Sequence, residues 1–216
     1  MANMNSVRMW DVVLGTEVFR QEPGNKFNPK HSRLTPNGKW IISYSSKFVA
    51  PNTFHLFTAT DVETKKIVEI SEEKNIGFTF SDDSNLLFVN STYHFGEGEA
   101  RTTKTKIKVY KVGTWELVRT YDDTYSTVHF DVSTKRQLMV SGAMDGKFRV
   151  FSLESGKLIG EEYYYKRIPL DDFLRTPHIT SFVGPVEFSP DGTMLMTAGA
   201  RGNVILWKLE FDVNPK

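Results

Sequence analysis

The chain has 216 residues, 39% hydrophobic and 13% aromatic, which is enough apolar mass for the core of one all-β domain. Its 27 Lys plus Arg against 26 Asp plus Glu leave a formal charge of +1, so neither nucleic acid nor an anionic membrane is attracted by net charge. There is no cysteine, which excludes disulfides, thiolate catalysis and Cys-ligated zinc or iron–sulfur sites.

Taken in order, Met1 to Ser6 is polar, and Val7 to Asp11 then reads as a strand followed by an outer strand at Thr16 to Arg20. No basic n-region with an apolar stretch and a cleavage site precedes it, and no apolar run approaches a membrane span. A loop rich in Pro, Gly and Asn covers Glu22 to Arg33. Strands follow at Leu34, Trp40 to Ser43 and Phe54 to Thr60, with Thr35-Pro36-Asn37-Gly38 as the first reversal and Ser45 to Thr53 as a long second connection. Phe78 to Phe80, Leu86 to Asn90 and Ile107 to Tyr110 repeat the set, reversing at Ser81-Asp82-Asp83-Ser84, with a long connection over Ser91 to Thr105 and an outer strand at Thr114 to Val118.

The third copy is compact: Val128 to Phe130, Leu138 to Gly142 and Phe148 to Phe151, with Asp145-Gly146 in the second turn and Glu154-Ser155-Gly156-Lys157 leading into Leu158-Ile159. After Gly160 to Gly184 comes the cleanest copy, Val186 to Leu209. In Ser189-Pro190-Asp191-Gly192, Pro pre-sets the second turn position and Gly is free to take positive φ. Met194 to Ala198 is a nearly continuous apolar run, expected of a strand buried on both faces.

These repeats resemble the WD-repeat family of β-propellers. The family motif closes its third strand with Trp-Asp, and the matching positions here are Trp10-Asp11, Thr60-Asp61, Tyr110-Lys111, Phe151-Ser152 and Trp207-Lys208. They lie about 50, 50, 41 and 56 residues apart, against roughly 40–45 for an uninterrupted unit. The Gly-His dipeptide that often opens a family repeat is absent; Asp145 holds the matching turn position in one copy, and Arg201 stands there in another. The resemblance implies an all-β propeller of four-stranded antiparallel blades in one domain over 1–216. The expected division is a partial blade at 1–22, blades at 31–74, 75–122 and 125–165, and a last blade at 184–212.

About four blades plus an N-terminal strand pair is at the low end of the roughly four to eight whole blades with which propellers close, and short of a ring of about seven. An incomplete propeller is therefore the expectation, with an apolar blade face exposed and self-association as its consequence. Asn3 to Val7 reads as the second turn of a unit whose first two strands are missing, and Thr16 to Arg20 is available to close a ring against the last unit.

The short reversals join first to second and third to fourth strands, whereas Glu22 to Arg33, Ser45 to Thr53, Ser91 to Thr105 and Gly160 to Gly184 all fall at the opposite end of the meander. Elaborated loops on a rigid scaffold are where binding resides. Glu161 to Arg167 and Pro169 to Leu174 combine aromatics with both charge signs, the composition of interface hot spots. The candidate partner-binding residues are Tyr163, Tyr164, Tyr165, Arg167, Phe173, Tyr93, Phe95 and Arg101. Tyr93 to Glu99 holds one His and two carboxylates, a set more often solvated than metal-bound, so no metal or other cofactor is expected. Arg101, Lys104, Lys106 and Lys108 form a basic run that reads as a solvated strand edge.

His31, His55, His129 and His178 are dispersed and lie near no nucleophile. The inner strands open at Ser32, Gly77, Thr127 and Pro185, poor groups for catalysis in a central channel. A non-enzymatic, cytoplasmic scaffold for a protein or peptide is the function expected, with a propeller enzyme or small-molecule binder, or a regulatory fragment of a larger protein, as the alternatives.

Overall fold

The computed structural model describes residues 6–22, 29–49, 52–73, 77–95, 102–123, 127–164, 183–199 and 202–209. These form five antiparallel sheets, with no α-helix among them. The chain falls into two compact units, Met1–Ile76 and Gly77–Lys216. The first holds the pair β1 (Val7–Asp11) and β2 (Thr16–Gln21), and the sheet β3 (Pro29–Leu34), β4 (Trp40–Val49), β5 (Asn52–Asp61) and β6 (Ile67–Glu73). The second holds β7 (Phe78–Phe80), β8 (Leu86–Phe95), β9 (Thr102–Lys111) and β10 (Leu117–Asp123) in one sheet. Its other sheets are β11 (Thr127–Ser133), β12 (Leu138–Ala143), β13 (Lys147–Ser152) and β14 (Leu158–Tyr163), and the three strands β15 (Val183–Phe188), β16 (Met194–Gly199) and β17 (Val204–Lys208). Phe173 to Arg175, where the sequence would admit a helical turn, lies outside the described residues.

Every sheet is a plain meander because each reversal is chemically specified. In the first turn a Ser or Thr hydroxyl accepts from the amide five residues on, while the acid or amide two residues on caps the turn: Thr35 with Asn37, Ser81 with Asp83 and Ser189 with Asp191. The Ser189 hydroxyl and the Thr193 amide hold the Asp191 carboxyl down at about 2. The third-to-fourth turn uses a second device. The amide four residues beyond Asp11, Asp61, Lys111 and Ser152 donates back to that residue's carbonyl at 2.8 to 3.0 Å, and the donor residue takes positive φ. At Asp11 and Asp61 the carboxylate also accepts two amides inside the turn, which is the physical use of the acid in a Trp-Asp-type ending. The outer strand expected over Thr114 to Val118 therefore starts only at Leu117: Trp115 is the residue with φ of 61°, inside the turn.

Gly192 tests the first device. Its φ is 69°, and a Cβ there would stand 2.5 Å from Arg136 Cγ and 2.8 Å from Ser133 Oγ. Gly192→Ala is expected to cost about 1–3 kcal/mol by urea denaturation. A change within a few tenths would show that the turn is not held in this conformation.

The core of the second unit explains why its second strands are so apolar. In β12 all six residues are buried, with Met139 facing one cluster and Leu138 and Val140 another. The first cluster joins Phe88, Ile107, Val109 and Tyr121 of one blade to Phe130, Val132, Phe151 and Leu153 of the next. The second joins Phe148, Val150 and Tyr164 to Val183, Val186, Phe188 and Leu195. Each fully buried side chain of this size contributes about 1.5–3 kcal/mol. Polar bridges fix blade to blade: Phe188 N donates to Asp131 at 2.9 Å and Asn90 Nδ2 to the Thr127 carbonyl at 3.3 Å. The expectation of burial on both faces fails for Met194 to Ala198. There Leu195 and Thr197 are buried, while Met194 is exposed and Met196 and Ala198 are half-buried, because among the described residues no further sheet of this unit covers that face.

Two expected loops are largely strand. Trp40 pairs with Asp61 and the ladder runs unbroken to Val49 with Asn52; Leu86 pairs with Lys111 and the ladder runs to Phe95 with Thr102. The pairing runs well past the blade through stretches rich in Ser and Thr, with aromatics in three of the four arms, and β-branched and aromatic residue types favour an extended ladder. The inserted residues of Ser45 to Thr53 and Ser91 to Thr105 thus become hairpins that prolong the second and third strands.

Candidate functional site

The elaborated end of the sheet β11 to β14 is the part of the expected binding surface whose side chains are described most fully. β12 ends in the turn Ala143 to Gly146, closed by Gly146 N to the Ala143 carbonyl at 3.3 Å with Gly146 at φ 78°. Asp145 in this turn accepts from Lys147 N at 3.1 Å and from the Arg149 guanidinium at 3.2 Å. Lys147 and Arg149 are alternate residues of β13, so both side chains leave the same side of the strand. β14 answers with Glu161, 2.6 Å from Lys147 Nζ and 3.3 Å from Arg149 Nε.

Two carboxylates and two cations thus neutralise one another. The Arg149 side chain is 1% exposed, whereas Asp145 and Glu161 remain 36% and 38% exposed. Burial works to raise the Asp145 carboxyl, but the Arg149 guanidinium and the Lys147 amide outweigh it and the net shift is downward. The Lys147 ammonium lowers Glu161, and Glu161 in turn raises Lys147.

These pairs correct the expected limits of the last long loop. Gly160 to Tyr163 is not loop: Val150 pairs with Gly160, Arg149 with Glu161, Phe148 with Glu162 and Lys147 with Tyr163, so cross-strand charge pairing carries the outer strand on. Tyr163 is half-buried, with Lys147 Nζ 4.6 Å from its ring centroid. That places a rigid aromatic ring and a cation side by side at the blade rim.

Tyr164 turns the other way. It is 4% exposed, its amide donates to the Gly146 carbonyl at 3.0 Å, its hydroxyl donates to the Asn203 carbonyl, and its ring lies where a Cβ on Gly199 would sit. Burial raises its phenol above the ordinary range. Tyr164 is a core residue packed between β14 and the last sheet. Tyr93 and Phe95 are placed on the backbone of β8, with their side chains outside the description; Arg101, Tyr165, Arg167 and Phe173 lie outside the described residues. The sequence reading noted Asp145 as a turn residue but missed its partnership with Lys147, Arg149 and Glu161. The available signal was the alternation Asp145, Lys147, Arg149 on one strand face, opposite an acidic outer strand.

Among the described residues no group of His, Asp or Glu is arranged to hold a metal, and no helix is long and apolar enough to cross a membrane. The last sheet also carries a partly buried polar link, with Trp207 Nε1 donating to Thr197 Oγ1 at 2.7 Å while the indole packs against Phe148 with ring centroids 4.8 Å apart, tilted by 56°.

The family model described as WD domain, G-beta repeat matches residues 172–208. No curated protein sequence matches the chain. Among solved structures it is similar to a chain in the crystal structure of a mitotic checkpoint complex, at 14% identity and a TM-score of 0.55 over 87% of this chain. The similarity spans 55% of that chain's length. The matched repeat includes β15 to β17, and the three four-stranded sheets repeat their meander with a fourth strand added. A WD repeat is therefore present in this chain, and its antiparallel sheets have the blade fold of a WD-repeat β-propeller.

Proposed function

We propose that the chain is a non-enzymatic platform that docks a protein or peptide at the elaborated ends of its blades. The observation that carries this reading is the asymmetry of the meander. Second and third strands run ten residues each in the sheets β3 to β6 and β7 to β10, while the turns at the opposite end close within a few residues on their own hydroxyls and carboxylates. Backbone that is already hydrogen-bonded costs little to order on binding, so such hairpins offer partner contacts at low entropic cost. Tyr163, held against Lys147 by the Glu161 pair, adds an aromatic of the kind enriched at interface centres. Tyr93, Phe95, Arg101, Tyr165, Arg167 and Phe173 complete the proposed contact set. The fold is one commonly used for protein interaction, and the similar solved chain is part of a protein complex.

The test is to shorten either hairpin, joining Ser46 to His55 or Thr92 to Thr105 through Asn-Gly, a two-residue turn suited to a β-hairpin. Quantitative affinity capture from the source cells is expected to lose at least about tenfold of a specific co-purifying protein with one of the shortened forms, at unchanged thermal stability. Equal recovery with both would overturn the reading.

A further inference from the structure

In the first unit, β1 and β3 begin at the same end of the meander, and an open cleft of about 580 Å³ lies between their first residues. It is lined by Ser6, Val7 and Arg8 from one side and Pro29, Lys30, His31 and Ser32 from the other. Two cations, an imidazole and two hydroxyls therefore surround it, and no carboxylate does so among the described residues.

The surrounding charges are unbalanced toward positive. Arg8 stands directly opposite Arg20 in the β1–β2 pair, an arrangement that repels. Glu17 lies between them, at 3.9 Å from Arg8 and 4.0 Å from Arg20, while Arg20 is also paired with Glu22. Among the described residues Arg8 thus holds a distant share of one acid, at the outer limit of an ion pair, and its Nε donates to Ser6 Oγ at 3.3 Å. Lys30 is exposed and makes no ion pair among the described residues. His31 lies beside Tyr44 with ring centroids 6.0 Å apart, tilted by 37°, and its imidazole is lowered first by burial and then by Arg33. The Ser32 hydroxyl is fixed by Ser43 at 2.8 Å.

From the cleft, the exposed Lys30 on one wall and the under-neutralised Arg8 on the other, we propose that this site binds a tetrahedral oxyanion of the phosphate type, presented by a phosphorylated residue of a partner. A planar guanidinium fork and a mobile ammonium on opposite walls are suited to such a group. The hydroxyls of Ser6 and Ser32 supply further donors, and the opening admits a side chain from outside. This inference is independent of the hairpin docking reading, since it uses neither hairpin.

The experiment is calorimetric titration of the full chain with inorganic phosphate, O-phosphoserine and sulfate, each against sodium chloride at matched ionic strength to remove general screening. Saturable binding in the millimolar range is expected for all three oxyanions. Tighter binding of O-phosphoserine than of inorganic phosphate would identify a phosphorylated side chain as the source; equal binding would identify the free anion and overturn the partner-borne form of the proposal. Arg8→Ala with Lys30→Ala is expected to weaken binding at least tenfold, and Lys66→Ala, on the turn at the other end of the same unit, to leave it unchanged. Thermal melts of all variants control for folding. No saturation beyond the chloride control, or equal binding by the double variant, would overturn the site altogether.

Discussion

Tyr164→Ala is expected to cost about 3–5 kcal/mol in chemical denaturation, while Tyr163→Ala, one residue earlier, is expected to cost less than about 1 kcal/mol. The two side chains leave opposite sides of the chain at the end of β14. Tyr164 fills the space between its own blade and the last one, against Val183 and Val186, with Gly199 leaving room for the ring. Truncation would open a cavity that Gly199 cannot fill and would strip the hydroxyl from the Asn203 carbonyl. Tyr164→Phe isolates that second loss and is expected to cost about 1 kcal/mol. Tyr163 rests on Lys147 at the rim, so its removal forfeits one cation–aromatic contact. If both alanine variants proved equally mild, Tyr164 would not be packed between the blades as described.

The second large effect concerns the ion cluster on β13. Asp145→Ala is expected to destabilise the protein by about 3 kcal/mol, because it takes from the buried Arg149 guanidinium one of the two acids that pair with it among the described residues and also removes the cap on Lys147 N. Arg149→Met is expected to be much milder, under about 1 kcal/mol. It fills a similar volume and removes the buried charge, while the two acids it frees are more than a third exposed and can hydrate. Combining the two changes should therefore recover most of the loss from Asp145→Ala, a strongly non-additive cycle measurable by urea titration. Additive losses would show that the guanidinium is not the group that makes Asp145 necessary.

Much of the fold was legible because its signals are local. A hydroxyl followed two residues later by an acid or amide announces the first turn at Thr35, Ser81 and Ser189 without reference to anything distant. The strand pair β1 and β2 is equally plain in Val7 to Asp11 and Thr16 to Arg20. What could not be read depends on partners far away in sequence. Ser45 to Thr53 looks like a loop until its residues are seen pairing with one another across the hairpin. Tyr164 resembles its neighbours in composition, and it becomes core through the distant Val183, Val186, Gly199 and Asn203. Arg149 reads as a surface charge until Glu161 is brought opposite it by the register of β14.

The measurement that bears most directly on the docking account is site-specific photo-crosslinking in the source cells, with benzoyl-phenylalanine placed singly at Tyr163, at the elaborated end of its blade, and at Lys157, in the short turn at the other end. Position 163 is expected to give a discrete adduct with one protein, competed by excess unlabelled chain, and position 157 to give none. A discrete, competed adduct at 157 with nothing at 163 would contradict the account, because partner contact would then belong to the trimmed ends of the blades.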